Sequence, residues 1–292
     1  MLPTNLIGQT SNQKLNEIYN FLKSNFKDEG NILEFGTFLG KVTYSLSLIQ
    51  KEKKIKNKVF TYDMFIWNKS HQQKFPKLNI KIGSSFLEKT KSIVSNTNIN
   101  YIKGDIENFN YDETNVVEVI ILDAPKNFQE IKSIFQKLNN KFLPNITKII
   151  FMDFFSPTKF DTIIFLYLLK TYGKITFSKF ENVFFELNKE IDLNQLNIKK
   201  ISKENYNLIE KFLLPVENEK SKLKLNLPMI LLSYNLCGLL STILKIFRTN
   251  KLLRNKKYVL TSVFFKQFNV IFPFILLKMM YEYIKQKFIN NK

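Results

Sequence analysis

The sequence predicts an α/β fold, a mostly parallel sheet wrapped by helices and followed by a C-terminal helical appendage. Three observations lead to this prediction. Strand-like runs alternate with runs of helical periodicity over residues 1–190, a glycine-containing turn follows the first strand, and acidic residues end the strands. Two later strand-like runs, 174–179 and 182–187, lie close together and predict an antiparallel hairpin that completes the sheet.

The elements follow from the spacing of apolar residues. A polar, amphipathic stretch over 12–26 precedes the first strand. The predicted parallel strands are 31–35, 58–63, 100–103, 116–123 and 148–153. Apolar residues three and four positions apart predict helices over 41–50, 84–94, 128–142 and 159–170. In open sheets of this kind, ligands bind at the carboxyl ends of the strands.

The glycine turn lies in residues 31–40, Asn-Ile-Leu-Glu-Phe-Gly-Thr-Phe-Leu-Gly. This pattern indicates a strand, a tight turn and the start of a helix. Gly36 and Gly40 allow the backbone to bend sharply and to approach a ligand, and the helix beginning near Lys41 directs free N–H groups toward that ligand. The turn is typical of a nucleotide-like cofactor site, although an ordinary strand-to-helix turn has the same pattern.

Acidic residues fall at five successive strand ends, namely Glu34, Asp63, Asp105, Asp123 and Asp153. One such residue is commonly just a helix cap, whereas five in succession favour a crevice lined by carboxylates. Asp63 lies 27 residues after Gly36, near the ~20-residue offset at which an acid accepts hydrogen bonds from ribose hydroxyls. Asp105 is then expected farther along the rim, near the base.

A second group of candidate residues follows the fourth and fifth strands. Asp123 and Asp153 are predicted to end adjacent central strands, where their carboxylates are suited to share a hard cation such as Mg²⁺. Lys126 is expected to face the same cleft, and a lysine near a divalent cation can act as a general base. A solvated surface lysine is the alternative interpretation of Lys126, because lysine is abundant in this chain.

These residues resemble the ordered motifs of the class I S-adenosylmethionine-dependent methyltransferases. The matching segments are Glu-Phe-Gly-Thr-Phe-Leu-Gly at 34–40, Thr-Tyr-Asp-Met-Phe at 61–65, Lys-Gly-Asp-Ile at 103–106, Leu-Asp-Ala-Pro-Lys-Asn-Phe at 122–128 and Met-Asp-Phe at 152–154. Within that class, Asp-x-x-Lys at 123–126 followed by Asp153 is most similar to the metal-dependent O-methyltransferases, including the catechol, caffeoyl-CoA and macrocin groups. The resemblance covers about residues 12–190.

The resemblance implies a Rossmann-like methyltransferase fold that binds S-adenosylmethionine. The turn containing Glu34, Gly36, Thr37 and Gly40 would hold the methionine part of the cofactor, and Asp63 would hold the ribose. It also implies that Asp123 and Asp153 bind Mg²⁺, with Asp123 and Lys126 as the catalytic residues. The chain departs from the metal-dependent pattern at Pro125 and Phe154, where those groups commonly have an acid or an asparagine.

The formal net charge of +19 is concentrated near the C-terminus, because residues 221–292 hold thirteen Lys or Arg and one acid, Glu282. Arginine occurs only at 248 and 254. Since arginine supplies the bidentate contacts that read bases, we expect no sequence-specific nucleic-acid partner. The single cysteine excludes an intrachain disulfide, and no export signal opens the chain, so a cytoplasmic location is expected.

Three regions are predicted: a methyltransferase-like domain over 1–190, a connection over 191–224 and a basic amphipathic helical region over 225–292. Residues 225–244 carry no charge, and Lys266 alone interrupts 258–277. Two membrane crossings would place the intervening basic loop outside, against the positive-inside rule. We therefore expect peripheral binding to the anionic inner membrane surface. The alternatives are helices that cap the sheet domain or form a homodimer contact.

The resulting functional hypothesis is an S-adenosylmethionine-dependent O-methyltransferase. Its expected acceptor is a small molecule or glycan, namely a hydroxyl of a sugar or of a lipid-linked precursor at the inner membrane surface. The alternative is a catalytically degraded methyltransferase-like protein that acts as a binding or scaffold protein recruited to membranes.

Overall fold

The computed structural model describes residues 6–94, 98–125, 127–154, 160–178, 180, 182–194, 196 and 212. Lys126 and the predicted membrane-binding region, 225–292, lie outside the described residues. Among the helices that are described, none has both the length and the apolar character needed to cross a membrane.

In the part of the chain that the structure describes, seven strands lie where the apolar runs predict them, with ends that differ by at most two residues. They are β1 (Asn31–Phe35), β2 (Val59–Asp63), β3 (Ile99–Lys103), β4 (Val117–Leu122), β5 (Lys148–Phe151), β6 (Gly173–Phe177) and β7 (Val183–Leu187). Every residue of β1, β4 and β5 is buried, as expected for central strands that are covered on both faces.

Within the described residues, six α-helices and three short 3₁₀ turns accompany these strands. The helices are α1 (Asn12–Asn25), α2 (Lys41–Lys53), α3 (Lys69–Lys74), α4 (Leu87–Val94), α5 (Phe128–Lys137) and α6 (Phe160–Leu169). The 3₁₀ turns lie at Pro76–Leu78, Ile106–Asn108 and Asn139–Lys141. Polar side chains cap the helices that begin after loops: the Ser11 hydroxyl accepts from the Lys14 amide, and the Asn127 side chain accepts from the Glu130 amide.

The strand order is β3-β2-β1-β4-β5-β7-β6. Strands β1 to β5 are mutually parallel, and β7 pairs antiparallel with both β5 and β6. The prediction of a Rossmann-like sheet with a C-terminal antiparallel hairpin is therefore confirmed. The order reverses direction between β1 and β4, so the connections after these two strands diverge and leave a crevice at their carboxyl ends.

Helices cover both faces of the sheet, and alternate residues of β1 face opposite layers. Leu33 and Phe35 pack in the cluster that contains α5 and α6, whereas Ile32 packs in the cluster that contains α1 and α2. The two apolar layers hold the central strands in a fixed register, with Leu33 of β1 beside Phe60 of β2 and Ile120 of β4. The loops at the carboxyl ends are therefore attached to a sheet that is tightly packed on both faces.

Candidate functional site

A cavity of about 340 Å³ lies at the carboxyl ends of the central strands. Its lining combines the N-terminal segment, the glycine turn, the start of α2 and residues that follow β2, β4 and β5. The lining residues are Gly8, Gln9, Thr10, Gly36, Thr37, Phe38, Lys41, Val42, Asp63, His71, Asp123, Ala124 and Asp153. Five predicted site residues are therefore brought together here: Gly36, Thr37, Asp63, Asp123 and Asp153.

The glycine turn has a geometry that other residues would adopt only with strain. Gly36 has φ +106°, and a Cβ atom at this position would lie 2.6 Å from the Ala124 amide nitrogen. Gly40 has φ +77°, and its Cβ would lie 2.7 Å from Cγ2 of Val94 in α4. The sequence predicts sharp bending and close approach to a ligand at both glycines; the structure adds that both permit close contacts within the protein.

Asp63 ties the end of β2 to the glycine turn. One carboxylate oxygen accepts a hydrogen bond from the Phe38 amide at 2.9 Å, and the other accepts from the Phe65 amide at 2.8 Å. Phe38 and Phe65 both have positive φ, +46° and +51°, so Asp63 stabilises two strained backbone positions. A carboxylate has about four acceptor sites, so the two bonds leave capacity for ligand hydroxyls.

Glu34 lies beneath the turn and does not line the cavity. It is 1% exposed, and Oε2 accepts hydrogen bonds from the hydroxyls of Thr43, at 2.6 Å, and Thr61, at 2.8 Å. Its other oxygen, Oε1, is buried and has no hydrogen-bond partner among the described residues. Burial raises the pKa of Glu34 to about 7, with smaller contributions in the same direction from Asp123 and Asp63, against the two threonine hydrogen bonds.

Asp123 and Asp153 both reach the cavity, but the Asp153 carboxylate forms an ion pair with Lys14 of α1. Phe154 is fully buried in the apolar core. In the described part of the chain, no group of three or more His, Cys, Asp or Glu side chains could hold a metal ion. A cation at Asp153 would have to displace the Lys14 ammonium group, and Mg²⁺ binding by Asp123 and Asp153 stays a prediction.

Asp105 is not brought to the cavity. It is exposed and caps the 3₁₀ turn after β3, where its carboxylate accepts from the Glu107 amide at 3.0 Å. This is the ordinary capping role of a strand-end acid. A contact between Asp105 and the base of a cofactor stays a prediction.

His71 is also a lining residue of the cavity. It lies in α3, a helix that was not predicted, and its ring centroid is 4.8 Å from that of Phe38. Burial lowers the pKa of His71, although Asp63 acts in the opposite direction. Phe65 and Trp67, in contrast, are fully buried in one apolar cluster and anchor this segment to the core.

Two further features of the lining were missed. The N-terminal segment at Gly8, Gln9 and Thr10 had no recognisable pattern. Lys41 does have a recognisable pattern. A cation in the first turn of a helix is repelled by the positive end of the helix dipole, so an anionic partner is expected near it. Lys41 is 8% exposed, and burial lowers its pKa.

No protein-family model matches this chain, and no curated protein sequence matches it significantly. Solved structures, in contrast, do match this chain. The O-methyltransferase NovP matches with 12% identity and a TM-score of 0.49, over 64% of this chain and 84% of NovP. CalS11, a TDP-rhamnose 3′-O-methyltransferase of calicheamicin biosynthesis, matches with 11% identity and a TM-score of 0.40, over 60% and 80%.

An rRNA methylase from Streptococcus thermophilus matches with 14% identity and a TM-score of 0.38, over 63% of this chain and 99% of the methylase. At such identities a likeness concerns the fold alone. The strand order and strand directions described above assign this sheet to the Rossmann-like methyltransferase fold.

Proposed function

We propose that this protein is an S-adenosylmethionine-dependent methyltransferase. One observation carries the proposal: the Asp63 carboxylate, predicted to bind ribose, is hydrogen-bonded to the glycine turn and lines the same cavity at the carboxyl ends of the strands. A nucleoside bound in this cavity could donate hydrogen bonds from its ribose hydroxyls to Asp63 and would lie beside the N-terminus of α2.

The described residues fit this cofactor. The cavity volume is within the range of small-molecule sites, ~300–1,000 Å³, Asp63 would hold the ribose, and the turn from Gly36 to Gly40 would hold the methionine end. When bound, the cofactor supplies an electrophilic methyl group on a sulfonium. Asp123 would orient the acceptor at the neighbouring strand end, and Lys126 is proposed as the base that takes the acceptor's proton.

Replacing Asp63 with alanine tests cofactor binding. Because the change removes a charged acceptor worth ~1.5–3 kcal/mol per hydrogen bond, the Kd for S-adenosylmethionine should rise about tenfold or more. Isothermal titration calorimetry with the purified protein measures this change, and Asp112→Ala, at an exposed acid outside the cavity, is the matched control. If the unmodified protein shows no saturable binding, the enzyme proposal is rejected.

The proposed acceptor is a hydroxyl of a sugar, in a glycan or a lipid-linked precursor. This part rests on the resemblance to O-methyltransferases and on the basic C-terminal sequence. A methylation assay with membrane-glycan extracts and labelled S-adenosylmethionine tests it, with and without a chelator to reveal any need for a metal. Cofactor binding without transfer would favour the alternative, a binding or scaffold protein on the same fold.

Peripheral attachment to the inner membrane surface is also proposed from the sequence of residues 225–292. Full-length protein should float with vesicles that contain anionic phospholipid and remain behind with neutral vesicles, because basic residues near an anionic surface contribute ~1 kcal/mol each. A chain ending at Lys220 should not float with either. Equal flotation of the two chains would reject attachment through this region.

A further inference from the structure

Lys41 is a buried cation in the wall of the cavity, placed directly after the glycine turn. Its exposed fraction is 8%, and it is one of the residues that line the cavity. Of the lining residues that the structure describes, it alone is a lysine. Its ammonium group forms no hydrogen bond or ion pair with any of the described residues, although three carboxylates line the same cavity.

The surroundings of Lys41 disfavour its charge in the absence of a ligand. Partial burial removes part of the hydration of the ammonium group, no described residue compensates this loss, and the same desolvation lowers the pKa of Lys41. Lys41 is also the first residue of α2, where the N-terminal end of the helix dipole repels a cation and attracts an anion. The side chain and the helix terminus thus favour the same occupant, a negatively charged group.

The N-terminal segment positions the Lys41 stem. Gly8 lies so close to it that a Cβ atom on Gly8 would be 2.8 Å from Cβ of Lys41 and 3.1 Å from Cδ. The aliphatic part of the side chain is therefore covered, while Gln9 and Thr10 continue along the cavity wall. Lysines commonly bury the aliphatic stem while the charged head stays accessible, and here the accessible side is the cavity.

We propose that Lys41 binds the carboxylate at the amino-acid end of S-adenosylmethionine. The inference rests on the proposed function, because it assigns one end of that cofactor to one side chain. In S-adenosylmethionine the carboxylate is the anionic group, and it lies at the opposite end of the molecule from the adenine. Asp63, on the β2 side of the turn, would hold the ribose, and Lys41, on the α2 side, would hold the carboxylate. An anionic group of the acceptor is the other source of the same chemistry.

Binding of three ligands to the full chain tests the assignment. They are S-adenosylhomocysteine, its analogue without the carboxylate, and 5′-deoxy-5′-methylthioadenosine, which has no amino-acid part. Lys41→Gln should raise the Kd for S-adenosylhomocysteine about tenfold or more, the effect of losing a charge-assisted hydrogen bond. The Kd values of the two ligands without a carboxylate should not change. Lys51→Gln, an exposed lysine on the same helix, is the matched control.

Each outcome has a definite meaning. If Lys41→Gln weakens the binding of all three ligands equally, Lys41 only supports the fold of the site, and the inference is overturned. An unchanged Kd for S-adenosylhomocysteine would also overturn it and would leave an anionic group of the acceptor as the partner. Thermal melts of the unliganded proteins check folding, and Lys41→Gln should melt no lower than the unmodified chain, because it removes a partly desolvated charge that has no partner among the described residues. If the unmodified protein binds none of the three ligands, the proposed function fails as well.

Discussion

Gly36→Ala is expected to abolish saturable binding of S-adenosylhomocysteine and to lower the free energy of unfolding by about 2–6 kcal/mol. Two costs combine in this estimate: a non-glycine residue at positive φ costs ~1–3 kcal/mol, and overpacking costs ~1–3 kcal/mol. The new methyl group would meet the backbone of Ala124 at 2.6 Å. Since backbone cannot give way as a flexible side chain does, the turn must move away from the end of β4. Isothermal titration calorimetry and chemical denaturation measure the two effects.

Gly83→Ala separates the two costs. Gly83 also has positive φ, +87°, but a Cβ atom there would meet nothing within 4 Å. This variant should therefore carry the backbone strain alone and bind S-adenosylhomocysteine as the unmodified chain does. If Gly36→Ala were to bind and unfold like Gly83→Ala, the close approach of the glycine turn to β4 would not matter for the site.

Glu34→Gln is expected to change how stability depends on pH. The pKa of Glu34 is raised from its usual 4.5 to about 7 by burial, so between these values the native state binds more protons than the unfolded state. The stabilising contribution is full below about pH 4.5 and is lost as the pH rises through about 7. Glutamine has a similar size, retains the oxygen that can accept from Thr43 and Thr61, and carries no charge at any pH.

The expected result is a difference between two curves. Relative to the unmodified chain, Glu34→Gln should gain about 2–3 kcal/mol of unfolding free energy between about pH 5 and pH 8, since one pKa unit corresponds to ~1.4 kcal/mol. Urea denaturation at several pH values measures both proteins, and circular dichroism at each pH verifies that the starting state is folded. Parallel stability curves would show that Glu34 does not titrate in this range and would contradict the burial argument.

The predicted strands and most helices are confirmed because their signals are local. Apolar runs bounded by polar residues specify a buried strand wherever it lies in the chain, and helical spacing specifies a covered face. Helix α3 was missed for the same reason: six polar residues show no apolar period. It is stabilised by the capping box between Asn68 and His71 and by packing of His71 on Phe38, and that packing brings together residues distant in sequence.

The gathering of the strand-end acids was predictable in part. Parallel strands must end at one edge of the sheet, so Asp63, Asp123 and Asp153 were expected at one crevice, and all three line the cavity. Their partners were not predictable. Asp153 pairs with Lys14, 139 residues away in the chain, and Glu34, expected to hold the cofactor, is buried beneath the turn between Thr43 and Thr61.

The residue pattern alone was sufficient to predict the α/β class, the approximate limits of the strands, the glycine turn and the edge of the sheet at which a ligand would bind. These properties depend on neighbours within a few positions and on the alternation of strand and helix. The ion pair of Asp153, the burial of Glu34 and the lack of a partner for Lys41 among the described residues depend on which distant segments pack against each acid or lysine. Those contacts determine the charge and the solvation of a site, and they cannot be predicted from residues that are neighbours in sequence.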